Sequence, residues 1–126
     1  MKYSIIISCF NREKFIGRAI RSAINQRSIE RSSYEIIVVD DKSSDNSINI
    51  IKDYENVIRF IKNNKNLGLP KSRNRGIKES KGKYIFMLDS DDYISEDTLN
   101  ILGSFLDHNK SWDAAGCDYY KINMKG

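Results

Sequence analysis

The sequence predicts an α/β fold in which a doubly wound, mostly parallel sheet lies between two layers of helices, an α/β/α sandwich. Four apolar runs of strand length alternate with segments of helical periodicity, and the connections are short, which is the pattern of right-handed βαβ units. Most of these runs are continuously apolar, as expected of strands buried on both faces of a parallel sheet. A chain of 126 residues, 40% hydrophobic and 30% charged, suits one compact domain with its own core.

The first strand and the first helix are predicted close to the start of the chain. Residues Tyr3–Cys9 contain three consecutive isoleucines and predict a buried strand. Phe10 and Asn11 follow in a loop. Residues 13–26 predict a helix, because six apolar side chains recur about four positions apart and form one stripe. The stripe consists of Phe15, Ile16, Ala19, Ile20, Ala23 and Ile24.

The second strand is predicted at residues 35–39 and ends in the acid pair Asp40 and Asp41. A stretch rich in turn and N-cap residues follows, and the apolar residues after it supply one face of a short helix. Residues 57–61 predict a third strand, whose half-alternating pattern indicates a position nearer the edge of the sheet. Residues 63–70 form a long polar loop.

The third helix is predicted at residues 70–80. Pro70 suits the first position of a helix, and Gly82 suits a point just beyond its end. Residues 84–88 then predict the fourth strand, which is again continuously apolar.

The last helix is predicted at residues 96–108, with Ser95 as its N-cap. Its inward face is expected to consist of Leu99, Leu102, Phe105 and Leu106. A further strand is expected to begin within residues 113–117.

The conspicuous polar clusters all follow strands. They are Ser8 to Asn11, Asp40 with Asp41, Asn66 to Gly68, and Asp89 to Asp92. Because the carboxyl ends of parallel strands share one edge of a sheet, we expect these clusters to converge there, where ligands of doubly wound sheets bind.

The acids after the fourth strand, Asp89, Asp91 and Asp92, repel one another unless a cation or hydrogen-bond donors hold them. Mg²⁺ is commonly bound by one or two carboxylates together with substrate phosphates, so this loop predicts a metal site. A polar turn that caps a helix is the competing interpretation.

A nucleoside diphosphate fits a sheet edge that carries acids, a hard metal, basic residues and an aromatic ring. Carboxylates accept hydrogen bonds from a base and a ribose, and Phe10 is placed to stack on the base. No G-x-G-x-x-G follows the first strand and no P-loop sequence occurs, which argues against a dinucleotide cofactor and a P-loop NTPase.

Charge and cysteine content narrow the function classes further. The net charge is +4, and the basic residues cluster within residues 62–83, which favours a phosphate-bearing ligand or an anionic lipid. Nucleic acid is disfavoured, because no aromatic residues interleave with this cluster and no nucleic-acid motif is present. Two distant cysteines, no signal peptide and no long apolar run predict a cytoplasmic location.

Four segments resemble, in order, the signatures of the family 2, GT-A fold glycosyltransferases. The segments are SIIISCFN (4–11), EIIVVDDKSSD (35–45), NLG with RNRG (66–68 and 73–76) and GKYIFMLDSDD (82–92). The resemblance covers essentially the whole chain and implies the Rossmann-like, nucleotide-binding half of a GT-A domain. It implies inverting transfer of a sugar from a nucleotide diphosphate sugar, most often a UDP-sugar, to an acceptor hydroxyl, with Mg²⁺ or Mn²⁺ bound.

The resemblance also implies site residues. The nucleotide-binding residues would be Ser8, Phe10, Asn11, Asp41, Arg73 and Asp89. Ser8 and Phe10 would line the base pocket, and Asp41 would accept from the base. Arg73 would lie on the nucleotide side, with an ion pair on the helix surface as the alternative. Asp89 would contact the ribose and assist the metal, and Asp91 would bind the metal directly.

Three positions depart from the family pattern. The family often has proline where Ser8 or Cys9 falls, tyrosine where Phe10 falls, and glycine where Lys42 falls. Asp40 is as well suited to bracing its loop as to contacting a ligand, and Cys9 is expected to be a packed residue and not a nucleophile.

The family places its general base in the second half of the domain, so that group is expected beyond residue 126. Residues 1–126 are therefore expected to be one domain truncated before its acceptor and catalytic-base half. The acceptor would be a glycan, a lipid-linked molecule or a protein, and peripheral association of the full-length protein with the inner face of the membrane is an open alternative. A noncatalytic nucleotide-sugar binding module is one alternative. A receiver-type signalling domain is a remote one, because its acid pair would follow the first strand.

Overall fold

The structure, a computed structural model, describes residues 1–123. Its sheet has four strands in the order β3-β2-β1-β4, and every neighbouring pair is parallel. The strands are β1 (Tyr3–Cys9), β2 (Tyr34–Asp40), β3 (Arg59–Lys62) and β4 (Tyr84–Asp89). The helices are α1 (Ile16–Ile24), α2 (Ser47–Lys52), α3 (Leu69–Glu79) and α4 (Thr98–His108), with a 3₁₀ turn at Arg31–Ser33.

Helices cover both faces of the sheet. On one face Ile5 and Ile7 of β1 pack in a buried cluster with residues of α1 and α2 and with Leu99 of α4. On the other face α3 approaches so closely that a side chain at Gly76 would meet Ile6. Every residue of β1 is buried, because it is central in the sheet and covered on both sides. The predicted α/β/α sandwich with a parallel sheet is confirmed.

Helix α1 is shorter than the predicted range 13–26. A turn precedes it, in which the Phe15 and Ile16 N–H groups both donate to the Arg12 carbonyl at 2.9 Å. The backbone N–H groups of Arg12 and Glu13, which have no helical acceptor, donate to Ser47 Oγ at 2.9 Å and Asp45 Oδ2 at 3.1 Å. Contacts that are distant in sequence therefore fix the chain that enters α1.

The start of the third strand also differs from expectation. Strand β3 begins at Arg59 and not at residue 57, because the Val57 N–H is committed to a turn with the Tyr54 carbonyl at 2.9 Å. The strand is the outermost on its side of the sheet, as its half-alternating pattern predicted.

Three expectations for the C-terminal part were wrong. Helix α4 starts after Asp97, and Ser95 does not cap it but shares a 3.0 Å hydrogen bond with Thr98. Phe105 is 46% exposed and not core, whereas Leu99 is buried, so only the first turns of α4 pack tightly. Within residues 1–123 no strand forms after α4, including at 113–117, because no neighbouring strand pairs with that segment.

Among the described residues, no helix is both long and apolar enough to cross a membrane.

Candidate functional site

A cavity of about 430 Å³ opens at the carboxyl edge of the sheet. It is lined by Ser8, Cys9, Phe10, Arg12, Asp41, Asn66, Gly68, Leu69, Ser72, Asp89, Ser90 and Asp91. The predicted convergence of strand ends is therefore real, since the ends of β1, β2 and β4 and the start of α3 all contribute. Of the nucleotide- and metal-binding residues that the sequence predicts, Asn11 and Arg73 are not part of the lining, whereas Ser8, Phe10, Asp41, Asp89 and Asp91 are.

The end of β1 supplies an aromatic and a hydroxyl to this cavity. Phe10 is 45% exposed, so a large part of its ring is free to stack. The Ser8 hydroxyl is buried, and it has no hydrogen-bond partner among the described residues. A buried hydroxyl normally has a partner, so an unpaired one at a cavity wall indicates a site that a ligand could complete. Cys9 is buried as expected, and burial raises the pKa of its thiol to about 11.

Asp41 is held from three directions at the base of the cavity. Its Oδ1 accepts from the Leu67 N–H at 2.7 Å and from Asn63 Nδ2 at 2.9 Å. Its Oδ2 accepts from the Gly68 N–H at 2.9 Å. Burial favours a higher pKa for Asp41, but these hydrogen bonds to the carboxylate outweigh it and lower the pKa. The Ser72 side chain also helps to lower this pKa, and Oδ2, with one hydrogen bond against two at Oδ1, is the oxygen more open to a further donor.

Asp40 and Asn11 shape the loop after β2. Asp40 is fully buried, and both of its oxygens accept from Ser43, at 2.6 and 2.9 Å. The Asn11 side-chain oxygen accepts from the Ser44 N–H at 2.8 Å. Both side chains brace the loop, and Asn11 lies beside the cavity without lining it.

The backbone conformation of Lys42 shows why the family pattern has glycine at this position. Its φ of 62° lies in the left-handed region, which glycine adopts readily and other residues adopt at a cost of roughly 1 kcal/mol. The turn still forms with lysine, at that cost.

The acidic loop after β4 brings three carboxylates together. Oxygens of Asp89, Asp91 and Asp92 lie within 4.8 Å of one another, and all three residues are exposed. Each pair of charges at this separation repels by about 1 kcal/mol in water and about 3 kcal/mol at an effective dielectric of 20. Burial, followed by the charges of Asp91 and Asp89, raises the pKa of Asp92. A cluster of exposed carboxylate oxygens is the donor set that a hard divalent cation prefers, so the residues present fit Mg²⁺ or Mn²⁺.

Arg73 reaches this cluster from α3. Its Nη2 donates to Asp89 Oδ1 at 2.5 Å, and both side chains are partly exposed. The ion pair is the alternative that the sequence left open for Arg73, and it joins α3 to the end of β4. The positively charged guanidinium of Arg73 therefore lies beside Asp89, the acid at the end of β4.

Several lining residues were not singled out in the sequence. Ser72 and Leu69 come from the first turns of α3, Ser90 lies between two of the acids, and Arg12 follows the β1 loop. Ser72 is fully buried. Nothing in the sequence marks it as a site residue, because a serine inside a helix is common and only the structure shows that the N-terminus of α3 faces the cavity. Asn63, which holds Asp41 and also donates to Ser72 Oγ at 2.9 Å, was likewise visible only as part of a polar loop.

The fold and the cavity define a doubly wound α/β domain whose candidate site lies at the carboxyl edge of its parallel sheet. The family model for glycosyl transferase family 2 matches residues 4–125. The chain belongs to glycosyl transferase family 2. This membership sets aside the receiver-type alternative.

Characterised relatives are considerably longer than this chain. Poly(ribitol-phosphate) beta-N-acetylglucosaminyltransferase TarP of Staphylococcus aureus is 40% identical over 115 residues, which are 87% of this chain and 34% of TarP. Poly(ribitol-phosphate) beta-glucosyltransferase of Bacillus spizizenii is 43% identical over 116 residues, 88% of this chain and 18% of the relative. The chain therefore spans about a third or less of these two proteins.

Solved structures show the same fold. S. aureus TarS 1–349 in complex with UDP-GlcNAc superposes with a TM-score of 0.80 at 34% identity, over 87% of this chain and 32% of that one. The complex of the same TarS fragment with UDP gives the same TM-score.

Proposed function

We propose that this chain forms the donor-binding part of a metal-dependent glycosyltransferase that transfers a sugar, with inversion, from a UDP-sugar to an acceptor hydroxyl. The observation that carries the proposal is one cavity whose lining combines Phe10 and Asp41, at the ends of β1 and β2, with Asp89 and Asp91, at the end of β4. Ser8 lies between them and is paired with Asp89 in the sheet. Two kinds of wall, one suited to a base and one suited to a metal, match the two ends of a nucleoside diphosphate. The UDP and UDP-GlcNAc complexes of TarS support the choice of donor.

The base end is assigned to β1 and the loop after β2. The exposed ring of Phe10 would stack on the uracil. Asp41 would accept the base N–H at Oδ2, and the hydrogen bonds that lower its pKa keep it ionised for this role. The Ser8 hydroxyl would gain the partner that it lacks.

The diphosphate end is assigned to the acidic loop. Asp91, assisted by Asp89, would hold Mg²⁺ or Mn²⁺, and when bound the ion would neutralise the charge that develops on the departing diphosphate. Asp89 keeps one oxygen that is not paired with Arg73, which is the oxygen available for a ribose hydroxyl or the metal.

The acceptor half of the reaction is assigned to sequence outside residues 1–126. An inverting transfer needs a carboxylate near the attacking hydroxyl, and the family resemblance places it in the second half of the domain. We therefore expect this chain to bind donor without transferring sugar. The full-length enzyme would act in the cytoplasm, at the inner face of the membrane if its acceptor is lipid-linked or belongs to a cell-surface polymer.

Calorimetric titration of the folded chain with UDP, in Mn²⁺ and in EDTA, tests the proposal. We expect at least tenfold tighter binding with Mn²⁺, and we expect Asp91→Asn to abolish this difference. Asp113→Asn is the matched control, because it removes an equally exposed carboxylate outside the cavity. If UDP binding were independent of metal in the unmodified chain, and Asp91→Asn changed nothing, the proposal would fail.

A noncatalytic nucleotide-sugar binding module would give the same titration. Assaying donor hydrolysis and transfer in the full-length protein separates the two, since the module would bind UDP-sugar and leave it intact.

A further inference from the structure

Helix α1 holds the segment that runs from the acidic loop to α4. Ser22 Oγ accepts from the Ile94 N–H at 3.2 Å. Gln26, which is buried, donates from Nε2 to the Ser95 carbonyl at 2.8 Å and accepts at Oε1 from the Leu99 N–H at 3.0 Å. Ser22 lies in α1, whereas Gln26 lies two residues beyond its end. The face of α1 that carries Ser22 therefore lies against the start of the segment, and Gln26 holds its continuation into α4.

Arg18 continues the same face toward the acids. It lies four positions before Ser22, and its Nη2 donates to the backbone carbonyl of Asp91 at 3.2 Å. Its guanidinium carbon lies 4.7 Å from the centre of the Tyr93 ring and 5.7 Å from that of Phe15. A planar guanidinium held between two rings is fixed in orientation as well as in position.

The contact is made to the main chain and not to a carboxylate. Among residues 1–123 no ion pair joins Arg18 to an acid, although three acids lie in the adjacent loop. The Nε of Arg18 is buried without a hydrogen-bond partner in the described part of the chain, which is a cost that the stacked geometry must offset. The arrangement fits a side chain that fixes where the loop backbone lies.

We propose that Arg18 is a positioning residue for the metal site, which holds the main chain at Asp91 so that its carboxylate points into the cavity beside Asp89. The inference rests on the proposed function, because it assigns a role toward a metal held by those acids. Residues that orient metal ligands commonly change metal affinity 10- to 100-fold when they are removed.

A counter-charge role would have the opposite consequence. If Arg18 served only to neutralise the acids, removing its charge would leave a more negative loop and would strengthen cation binding. If it positions Asp91, removing it loosens the ligand and weakens cation binding. The sign of the change in Mn²⁺ affinity therefore distinguishes the two.

Arg18→Met tests the proposal, because methionine keeps much of the aliphatic packing without the donor or the charge. Arg21→Met is the matched control, since Arg21 lies on the same helix and donates instead to Tyr54 Oη at 2.9 Å, on the side away from the acids. Mn²⁺ affinity in saturating UDP is measured from the electron paramagnetic resonance signal of free Mn²⁺. We expect Arg18→Met to weaken Mn²⁺ binding about tenfold, Arg21→Met to stay within twofold of the unmodified chain, and both to bind UDP normally in EDTA.

Hydrogen exchange of the amides in residues 90–95 provides a readout that needs no metal. We expect faster exchange in Arg18→Met and unchanged exchange in Arg21→Met, with Arg18→Lys intermediate because lysine keeps one donor and the charge. Unchanged exchange, or faster exchange with equal or tighter Mn²⁺ binding, would overturn the assignment. If the unmodified chain showed no metal-dependent UDP binding, the proposed function would fail first, and exchange would still decide whether Arg18 holds the loop.

Discussion

Replacing Asp41 with asparagine should both destabilise the domain and weaken nucleotide binding. Asp41 is only 4% exposed, and its carboxylate accepts three hydrogen bonds from the loop that leads into α3. Two of these reach Oδ1 and one, from the Gly68 N–H, reaches Oδ2. Asparagine has nearly the same shape, so the perturbation is chemical and leaves no cavity.

The magnitude follows from the donor count. The amide oxygen of asparagine would take the place of Oδ1, since two donors point there, and its NH₂ group would then face the Gly68 N–H. One buried donor loses its acceptor, and the other two hydrogen bonds lose the help of a charge, which together cost about 2 kcal/mol. With a urea m-value of about 2 kcal/mol/M, the unfolding midpoint should fall by roughly 1 M.

The pH dependence gives a second measure of the same contact. Hydrogen bonds lower the pKa of native Asp41 below its unfolded value of about 3.9, so its stabilisation is fully present above that value and is lost as the pH falls through the native pKa. Asp41→Asn should therefore show a flatter loss of stability below about pH 4 than the unmodified chain. Asp113→Asn, at an exposed position, is the control and should change neither quantity. Equal midpoints and parallel acid limbs for Asp41→Asn and the unmodified chain would refute this reasoning.

Two further predictions concern packing and reactivity. Gly76→Ala should destabilise the domain by about 1 kcal/mol in urea unfolding, because the new methyl group would lie 2.5 Å from a buried isoleucine of β1. Gly17→Ala should stabilise α1 by about 0.5 kcal/mol, because its methyl group would meet the flexible end of Arg21 and lie at ordinary contact distance from Ile50. A gain in stability from both substitutions would show that α3 can move away from the sheet. Cys117, which is exposed, should react with a thiol reagent at pH 8 at the rate of a free cysteine. Cys9, whose pKa is raised to about 11 by burial, should react only on unfolding. Simultaneous labelling of the two cysteines in the folded chain would contradict the burial of the end of β1.

The strands were predictable because their sequence signal is local. A continuous apolar run such as Ile5 to Ile7 predicts a strand, and the helices on either side of β1 bury it on both faces. The same expectation of burial was wrong for β4, because it lies at the edge of the sheet, where Ile85 is 43% and Met87 38% exposed. The contacts that hold the chain entering α1 were not predictable, because their acceptors, Ser47 and Asp45, lie more than thirty residues away. The exposure of Phe105 was missed for a related reason, since a helical stripe shows which residues can be buried and not what is present to bury them.

The positions of the acids in the candidate site were predictable from the sequence, and the residues that hold them were not. Asp41, Asp89 and Asp91 could be placed at one edge, because parallel strands end on the same side and each acid directly follows a strand. The partners that hold them could not be foreseen: Asn63 reaches Asp41 across the sheet edge, and Arg18 reaches the backbone of Asp91 from another helix. Sequence position predicts where an acid emerges, whereas its pKa and orientation depend on neighbours that only the packed structure brings near.

The topology also explains why one cavity has two chemically different walls. Helices α1 and α2 lie on one face of the sheet and carry the chain outward to β3, and α3 then returns it across the other face to β4, on the far side of β1. The winding reverses at β1, so the ends of β2 and β4 flank it and are separated by two strand spacings, about 10 Å. Asp41 emerges from one and Asp89 from the other, so a ligand that contacts both must reach across the end of β1. A nucleoside diphosphate meets this requirement, because it carries a hydrogen-bonding donor at one end and, at the other, phosphate groups that bridge to carboxylates through a cation.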